Sequence, residues 1–585
     1  MATLHTSGTQ LAVMLKPLPL NKAFLAALGA AFLLAMHFFM PNPGGSGLAL
    51  SFNPTTWVAI SIAIAIGFYQ LANNQRVRYS KVTVGLFLCC LMLTLPLLYP
   101  NSESTLAANK LVGLWAGFCL FLVLQQFQFS NSQKQRLLWF VLVATVIQAI
   151  LGYTQYFILE PGNILGYNTQ TNRPYGIFQQ PNVMASFLAT GLVISAYLLA
   201  RQAHKYNYKL SKVSLLYAVP LITIPLLILL ASRTGWLGAL LGTAFITPYL
   251  YRFSTNKRFF GWIASVLIGL ALGISLAGGA KSTGLAAEKL ELENARSYIF
   301  PQALDMLIEK PFTGYGYGRF EAEYTLYTAR QHQLNPEYHP GLPSMDHPHN
   351  ELLYWGVEGG ILPIIGILLA ALLVLSRLIT ANKGTRLAMF ALFIPIVLHS
   401  QLEYPFYHSA IHWVTFIILI YWVDQRVSKH SAKSFSSISK TLLRVLSLVL
   451  PILVSIYMLS SLHTNYVLTK FEQSRPKDPE VLNQVSNPIA WKDRFDWDIY
   501  STYLNIGLYT ENEKLIQPYI DWSLRIIKNK PRPAFYSNLI LAYQGLGDSS
   551  RAEQIRKEAE FLFPNKDFSQ VKYLRPSGSE ADATQ

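Results

Sequence analysis

The sequence predicts an all-α fold: a polytopic membrane bundle of about thirteen helices, one large extramembrane loop and a C-terminal helical domain. Hydrophobic residues make up 52% of the 585 positions and charged residues only 13%, whereas soluble domains carry about 25% charged residues. Apolar runs long enough to cross a hydrocarbon core recur over the first 460 positions. Backbone groups in lipid must bond to one another, so each run is predicted to be helical.

The predicted spans are separated by short polar connections, except for one long interruption before the tenth. They lie at residues 23–40, 56–73, 82–99, 111–129, 137–157, 183–200, 213–231, 235–250, 260–278, 351–376, 387–401, 410–424 and 441–460. The first run lacks a small-residue cleavage site, so it predicts a retained span and not a signal peptide. Cys89, Cys90 and Cys119 lie inside apolar runs, which indicates neither a disulfide framework nor a metal cluster.

Lysine and arginine are distributed unevenly between alternate loops. One set of loops holds 22 of them, in the segments 16–22, 76–81, 134–136, 201–212, 252–258, 377–386 and 426–444. The other short loops hold only Lys110, Arg173 and Arg233. Because short cytoplasmic loops are enriched in Lys and Arg, the first set is predicted to be cytoplasmic. The net charge of +16 then reflects topology and contact with anionic lipid, and it gives little support to nucleic-acid binding.

This orientation places the N-terminus in the cytoplasm and the C-terminus outside it. The predicted regions are an N-terminal transmembrane bundle at 1–278, a large outer loop at 279–350, C-terminal transmembrane helices at 351–460 and an outer helical domain at 461–585. In the last region, helical periodicity at 534–543 breaks at 545–548 and resumes at 551–563. This pattern resembles a tetratricopeptide-type (TPR-like) hairpin, and residues 497–527 predict a second helix pair.

Two arginines stand out on the outer side, where cations are scarce. Arg233 lies in a tight turn between two spans; an arginine at membrane depth usually has a specific partner, and its planar fork suits phosphate oxygens. Arg173 begins the segment 173–182, in which Gln180 and Asn182 offer amide groups near the interface. The structural alternatives are snorkelling of Arg233 to the headgroups and capping of the next helix by Asn182.

The large outer loop carries a third candidate cation, Arg296, and ends in Met345-Asp-His-Pro-His-Asn-Glu-Leu352. Histidine titrates near neutrality, so His347 or His349 can accept a proton from an attacking hydroxyl. A zinc site formed by both histidines with Asp346 is a competing interpretation, although the spacing matches no established metal signature. The structural alternative is a polar helix start capped by Asn350 or Asp346.

A second polar cluster follows near the end of a later span. His399 and Glu403 are four residues apart, which puts them on one helical face, and Tyr404 comes directly after them. The pair is positioned to orient a base or a lipid headgroup. A purely structural histidine–carboxylate pair is the alternative interpretation.

Together, these segments resemble the bacterial pilin-type O-oligosaccharyltransferases, or protein glycosylation ligases, which form one superfamily with O-antigen ligases and some O-antigen polymerases. The resemblance extends over nearly the whole chain, through both the bundle and the helical-repeat tail. The segments that carry it are 37–45, 176–182, Ser232-Arg233-Thr234, Arg296, 311–318, His347-Pro-His-Asn350 and 399–405.

The resemblance implies a bacterial inner-membrane enzyme whose catalytic loop lies in the periplasm. It implies transfer of a glycan from undecaprenyl pyrophosphate to a Ser or Thr of an exported protein, often a type IV pilin, without a metal or other cofactor. His349 matches the family's essential histidine and Arg233 its membrane-edge arginine. Arg173, Arg296 and Gln180 match further donor-binding positions. Supporting roles are expected for His347, Asn350, His399, Glu403 and Tyr404.

These assignments give a mechanistic hypothesis with two alternatives for the activity. His349 acts as the base for inverting attack at the sugar C1, while Arg233, Arg173 and Arg296 stabilise the charge that grows on the diphosphate. The first alternative is an O-antigen ligase that acts on the lipid A core. The second is a lipid-glycan transporter, which would carry ionisable residues midway through its spans and internal repeats.

Overall fold

The computed structural model describes residues 20–202, 209–278 and 282–574 of the chain. Of the predicted features, the cytoplasmic cations Lys16 and Lys205 and the last eleven residues of the tail, 575–585, lie outside the described residues. The described part is mainly helical, as the sequence predicts, with a single two-stranded sheet among its elements.

The first half of the bundle runs to the start of the outer loop. Its helices are α1 (Asn21–Leu33), α2 (Phe52–Asn74), α3 (Lys81–Thr94), α4 (Ser104–Leu124), α5 (Asn131–Phe157), α6 (Pro181–Ala200), α7 (Leu210–Leu229), α8 (Arg233–Phe253) and α9 (Asn256–Ala277). Short 3-10 helices cover Ala35–His37, Gly47–Ala49, Leu95–Leu98 and Gly176–Phe178. Helix α6 is the centre of this bundle, because its residues from Val183 to Ala200 are all buried.

The outer loop and the second half of the bundle contain α10 to α18. These are α10 (Ser282–Glu309), α11 (Phe320–Leu334), α12 (Glu351–Gly359), α13 (Ile361–Thr380), α14 (Arg386–Ala391), α15 (Ile394–Ser400), α16 (Pro405–His408), α17 (Ala410–Val427) and α18 (Ser437–Gln473). The tail adds a 3-10 helix at Pro479–Gln484, then α19 (Lys492–Tyr509), α20 (Glu513–Ile526), α21 (Pro533–Gly545) and α22 (Ser549–Leu562).

Nine of the described helices are long and apolar enough to cross a membrane: α2 to α7, α9, α13 and α18, with α3 extended to Leu98. The remaining predicted spans also fall on helices, namely α1, α8, α14 with α15, and α17. Packing joins helices that are distant in sequence, since α18 lies along α2 and α13 lies along α3. The protein is therefore an all-α polytopic membrane protein, and the number of thirteen spans stays a prediction.

The prediction of one continuous span at 351–376 is wrong, because the helix breaks at Gly360. This residue has φ +71°, and a Cβ there would lie 2.3 Å from the carbonyl oxygen of Phe312. The short helix α12 therefore belongs to the outer loop and packs against α10, while α13 forms the apolar span. The predicted span 387–401 is likewise two short helices, α14 and α15.

A two-stranded antiparallel sheet that the sequence analysis did not predict joins two of the predicted cytoplasmic loops. Strand β1 (Arg76–Tyr79) pairs with β2 (Ser431–Ser434), with Arg76 opposite Ser434. The side chain of Gln126 bonds to both backbone groups of Arg78 at 2.8 and 2.9 Å. This side-chain bridge satisfies polar groups on the outer edge of β1.

The tail is a helical layer that begins with the last turns of α18. Helices α19 to α22 pack in sequence order around a core that includes Tyr519, Leu539 and Ala559. The two predicted helix pairs are therefore present. The tail also contacts the outer loop, because Arg532 donates to both carboxylate oxygens of Glu321 on α11 at 2.6 and 3.0 Å.

Candidate active site

The candidate site is built on residues 345–350, which lead into α12. Asn350 caps that helix, since its side-chain oxygen accepts from the Leu353 N–H at 2.9 Å. The Asn350 amide also donates to the carbonyl of Gln401, in the turn after α15, at 3.0 Å. One residue thus fixes the end of the loop and connects it to the second polar segment. Asn350, rather than Asp346, is the capping residue.

His349 is held in a defined orientation by bonds from both its backbone and its ring. Its φ of +57° lies in the left-handed region, and its backbone N–H donates to His347 Nδ1 at 2.9 Å. Its own Nδ1 lies 2.8 Å from Oε2 of Glu403. A carboxylate only accepts, so Nδ1 carries a proton, and in the neutral form of the ring the lone pair is then on Nε2. The imidazole is therefore arranged to accept a proton at Nε2.

Glu403 connects the three parts of the site. Its carboxylate accepts from His349, from the guanidinium of Arg296 and, at 3.1 Å, from the side-chain amide of Asn182. The side chain is only 8% exposed. Burial opposes ionisation, but the hydrogen bond from His349 and the charges of His349 and Arg296 outweigh it and lower the pKa of Glu403 to about 2. Glu403 is therefore an anion across the physiological range.

Beside this carboxylate lies a shallow cavity of about 200 Å³ with two arginines in its wall. Arg233 and Arg296 line it together with Thr234, Leu237 and Leu402. Arg233 is the first residue of α8, and Ser232 caps that helix by accepting from the Gly235 N–H at 3.1 Å. A helix N-terminus and two guanidiniums all favour negative charge. The cavity therefore suits an anion such as a diphosphate, and it adjoins Glu403 through Leu402 and Arg296.

His347 supports the loop from a fully packed position. Its ring lies 4.4 Å from the ring of Tyr354, 5.0 Å from that of Tyr404 and 5.4 Å from that of Tyr407. Burial, followed by the charges of His349 and Lys110, lowers the pKa of His347 well below its usual value. The ring is neutral and accepts the His349 N–H, so its role is to position His349.

Arg173 and Gln180 lie near the cavity but are occupied by backbone groups. Arg173 donates to the carbonyls of Leu230 and Ala231 at 2.7 and 3.4 Å, so it closes the end of α7 beside the turn that carries Arg233. Gln180 caps α6 through its side-chain oxygen. The capping alternative for Asn182 is therefore wrong, and only the amide nitrogen of Gln180 remains for a ligand. Direct donor contact by either residue stays a prediction.

The prediction that one helix carries both His399 and Glu403 is wrong. Helix α15 ends at Ser400, so Glu403 lies in the following turn and turns its carboxylate towards His349. His399 is fully buried and its Nδ1 lies 2.6 Å from the hydroxyl of Ser186 instead. Tyr404 packs its ring 5.2 Å from that of His349. Of the pair, Glu403 belongs to the site and His399 to the core behind it.

Three family models and a protein of known function match parts of this chain. The family model described as "O-Antigen ligase" matches residues 218–370, which include Arg233, Arg296 and His349. "Protein glycosylation ligase" matches 174–199, and "Virulence factor membrane-bound polymerase, C-terminal" matches 387–577. A "General O-oligosaccharyltransferase" of Acinetobacter baylyi is 23% identical over 407 residues, covering 66% of this chain and 67% of the relative.

These matches support an O-oligosaccharyltransferase of the O-antigen ligase superfamily. Because the Acinetobacter baylyi relative is an O-oligosaccharyltransferase, the comparisons indicate a glycosyltransferase and not a transporter. The helical fold is that of a multi-pass membrane protein, which agrees with the O-antigen ligase match.

The contact between Asn182 and Glu403 is not predictable from the sequence. The amide of Asn182 bonds to the same Glu403 oxygen that accepts from Arg296. The available signal was a cluster of amides just before a span, which indicated interfacial polarity but not a partner. More than 200 positions separate Asn182 from Glu403, so only the folded bundle reveals the contact.

Proposed function

We propose that the chain transfers a preassembled glycan en bloc from undecaprenyl pyrophosphate to a Ser or Thr hydroxyl of an exported protein. The reaction takes place without a metal, on the periplasmic side of a bacterial inner membrane. One observation carries the proposal: Glu403 bonds at once to His349 and to Arg296, a wall residue of the arginine cavity. The carboxylate of Glu403 therefore contacts both the proposed proton acceptor, His349, and Arg296 in the wall of the proposed anion site.

His349 is assigned as the general base. The acceptor hydroxyl loses its proton to Nε2 as its oxygen attacks C1 of the first sugar from the face opposite the leaving group. The new C1–O bond forms as the old one breaks, so the configuration inverts. Glu403 holds the Nδ1–H and stabilises the imidazolium that results, as expected for a carboxylate behind a catalytic histidine.

Arg233 and Arg296 are assigned to the leaving group. Negative charge on the lipid pyrophosphate grows as the bond to C1 breaks, and guanidiniums already in place stabilise it without reorganisation. Arg173 supports this arrangement by fixing the end of α7 next to Arg233. The donor's pyrophosphate occupies the cavity, and its sugar faces His349.

The acceptor is proposed to be a pilin-like exported protein, presented by the outer helical tail. The ion pair between Arg532 and Glu321 supports this arrangement, because it joins the tail to the outer loop that carries His349. The second candidate is an O-antigen ligase that uses lipid A core sugars. It is favoured by the match of residues 218–370 to the model described as "O-Antigen ligase".

The test is a reconstituted assay with a purified lipid-linked glycan and either pilin or lipid A core as the acceptor. His349→Gln is expected to reduce turnover by about 10²–10⁴-fold, and Arg233→Gln to weaken donor use. The matched controls are His339→Gln and Arg330→Gln, because both side chains are exposed in the same outer loop. Wild-type turnover by a folded His349→Gln enzyme contradicts the base assignment. Transfer to lipid A core alone contradicts the protein acceptor.

A further inference from the structure

A second cavity lies at the end of the bundle opposite His349. Helix α6 begins next to Asn182 in the candidate site and ends at Ala200, and a 20-residue helix is about 30 Å long. The cavity of about 260 Å³ lies just past that far end. Its lining residues are Asn131, Lys134, Arg201, Trp422, Gln425 and Arg426. It is therefore separate from the site proposed for catalysis.

The lining contains three cations and no acid. Within residues 20–202, 209–278 and 282–574, no carboxylate forms an ion pair with Lys134, Arg201 or Arg426. The acid closest in sequence, Asp424, accepts instead from Gln125 and from the hydroxyl of Ser428. The cavity is therefore positively charged, and no described carboxylate is paired with its cations.

The two guanidiniums are held on one rigid aromatic ring. Arg426 lies 4.9 Å and Arg201 5.7 Å from the ring centroid of Trp422. Trp422 is buried and donates to the hydroxyl of Tyr197 at 3.0 Å. The Nε of Arg201 is buried and has no hydrogen-bond partner among the described residues. A preformed donor set with an unmet buried donor indicates a ligand that accepts hydrogen bonds.

We infer that this cavity binds the phosphate group of an anionic phospholipid headgroup. A phosphate has several acceptor oxygens and matches the fork of each guanidinium, with the ammonium of Lys134 and the amides of Asn131 and Gln425 beside them. The lining residues lie at or near the ends of α5, α6 and α17, next to the loops predicted to be cytoplasmic. Basic pockets between membrane helices are known to hold such headgroups. Free inorganic phosphate has the same chemistry, so the test must separate the two sources.

The test uses the purified full-length protein in a neutral detergent. Phosphatidylglycerol is expected to raise the thermal unfolding temperature by several degrees over an equal amount of phosphatidylcholine. The double variant Arg201→Gln/Arg426→Gln is expected to lose this difference and to bind phosphatidylglycerol at least ten-fold more weakly. The matched control is Arg136→Gln/Lys257→Gln, which removes two exposed charges from predicted loops of the same face.

Three outcomes would overturn the inference. An equal loss in the control double variant would show a general surface charge effect. Equal protection by inorganic phosphate would show that the ligand is not a lipid. Because the double variant could fail to fold, native mass spectrometry of the wild type provides an independent measurement. No preference for phosphatidylglycerol over phosphatidylcholine there would also reject the site.

Discussion

At the residue scale, Glu403 determines what the candidate site can do. A buried carboxylate requires compensating donors, and here the donors are His349, Arg296 and Asn182. Burial opposes its ionisation, but His349 and Arg296 lower its pKa to about 2, so it stays ionised at neutral pH. The same carboxylate both fixes the tautomer of His349 and holds Arg296 at the cavity wall.

The first prediction concerns Glu403→Gln. The amide keeps the shape but removes the negative charge behind the imidazole, so turnover is expected to fall about 10–100-fold, the range for lost supporting contacts. The acidic limb of the pH–rate profile is expected to shift to lower pH, because the imidazolium loses its counter-charge. Steady-state kinetics over pH 5–9 measure both effects. The control is Glu160→Gln, which alters an exposed side chain in another outer loop. If the acidic limb of the Glu403→Gln profile does not shift, Glu403 does not orient His349.

The second prediction concerns Asp498 in the tail. It is 1% exposed, and neither carboxylate oxygen has a hydrogen-bond partner among the described residues. Burial and then the charge of Glu472 raise its pKa from 3.8 to about 7. The folded state therefore binds the proton more tightly than the unfolded state, so the contribution of Asp498 to stability is greatest below about pH 4. It should fall as the pH rises towards 7, by about 1.4 kcal/mol for each unit of pKa shift.

Hydrogen–deuterium exchange of α19 in the full-length protein measures this dependence. Asp498→Asn is expected to slow exchange at pH 7 and to flatten the change between pH 4 and pH 7. Asp496→Asn removes a nearby carboxylate that is paired with Lys492 at the surface, so it should leave the pH dependence intact. Equal behaviour of the two variants would contradict the account of Asp498.

At the element scale, the break between α12 and α13 separates the outer loop from the membrane span. Gly360 permits it, since its φ is positive and the backbone of Phe312 approaches closely. Helix α12 carries Glu358, which accepts from Lys110 and from the Gly318 N–H. The break therefore lets α12 anchor the Gly-rich part of the loop while α13 follows the lipid.

The third prediction follows from this break. Gly360→Ala is expected to destabilise the protein by about 1–3 kcal/mol from backbone strain, and by more from the contact with the Phe312 carbonyl. The thermal unfolding temperature of the detergent-solubilised enzyme measures it. Gly113→Ala, within α4, is the control, because a methyl group added at that position would meet no atom within 4 Å. A fall of equal size in both variants would indicate a general sensitivity to alanine.

At the scale of the whole molecule, apolar run length was enough to predict the helical bundle, since lipid leaves the backbone few alternatives. The length of the apolar run could not reveal the break at Gly360, because the break depends on the backbone of Phe312 lying close to that of Gly360. The arginines and His349 were found because cations and histidines are rare on the predicted outer side. Their organisation was not predictable, because Glu403 faces partners from three distant segments, and helical spacing assigned it to His399 instead.

The fourth prediction tests the orientation of the molecule. With the native cysteines replaced, Glu337→Cys in the outer loop and Lys433→Cys in β2 both present exposed positions. A membrane-impermeant maleimide applied from the periplasmic side is expected to label position 337 directly. Position 433 should be labelled only after the membrane is permeabilised. Labelling of both from one side would contradict the proposed topology.

The pairing of β1 with β2 has a consequence for biogenesis. Arg76 emerges from the ribosome long before Ser434, its partner across the strands, and α2 likewise waits for α18. Until then, the early part of the nascent chain has β1 without its partner strand and α2 without the helix that covers one of its faces. Completion of β2 and α18 then joins the first and last thirds of the chain, so a chain terminated before them would expose both surfaces to quality-control proteases.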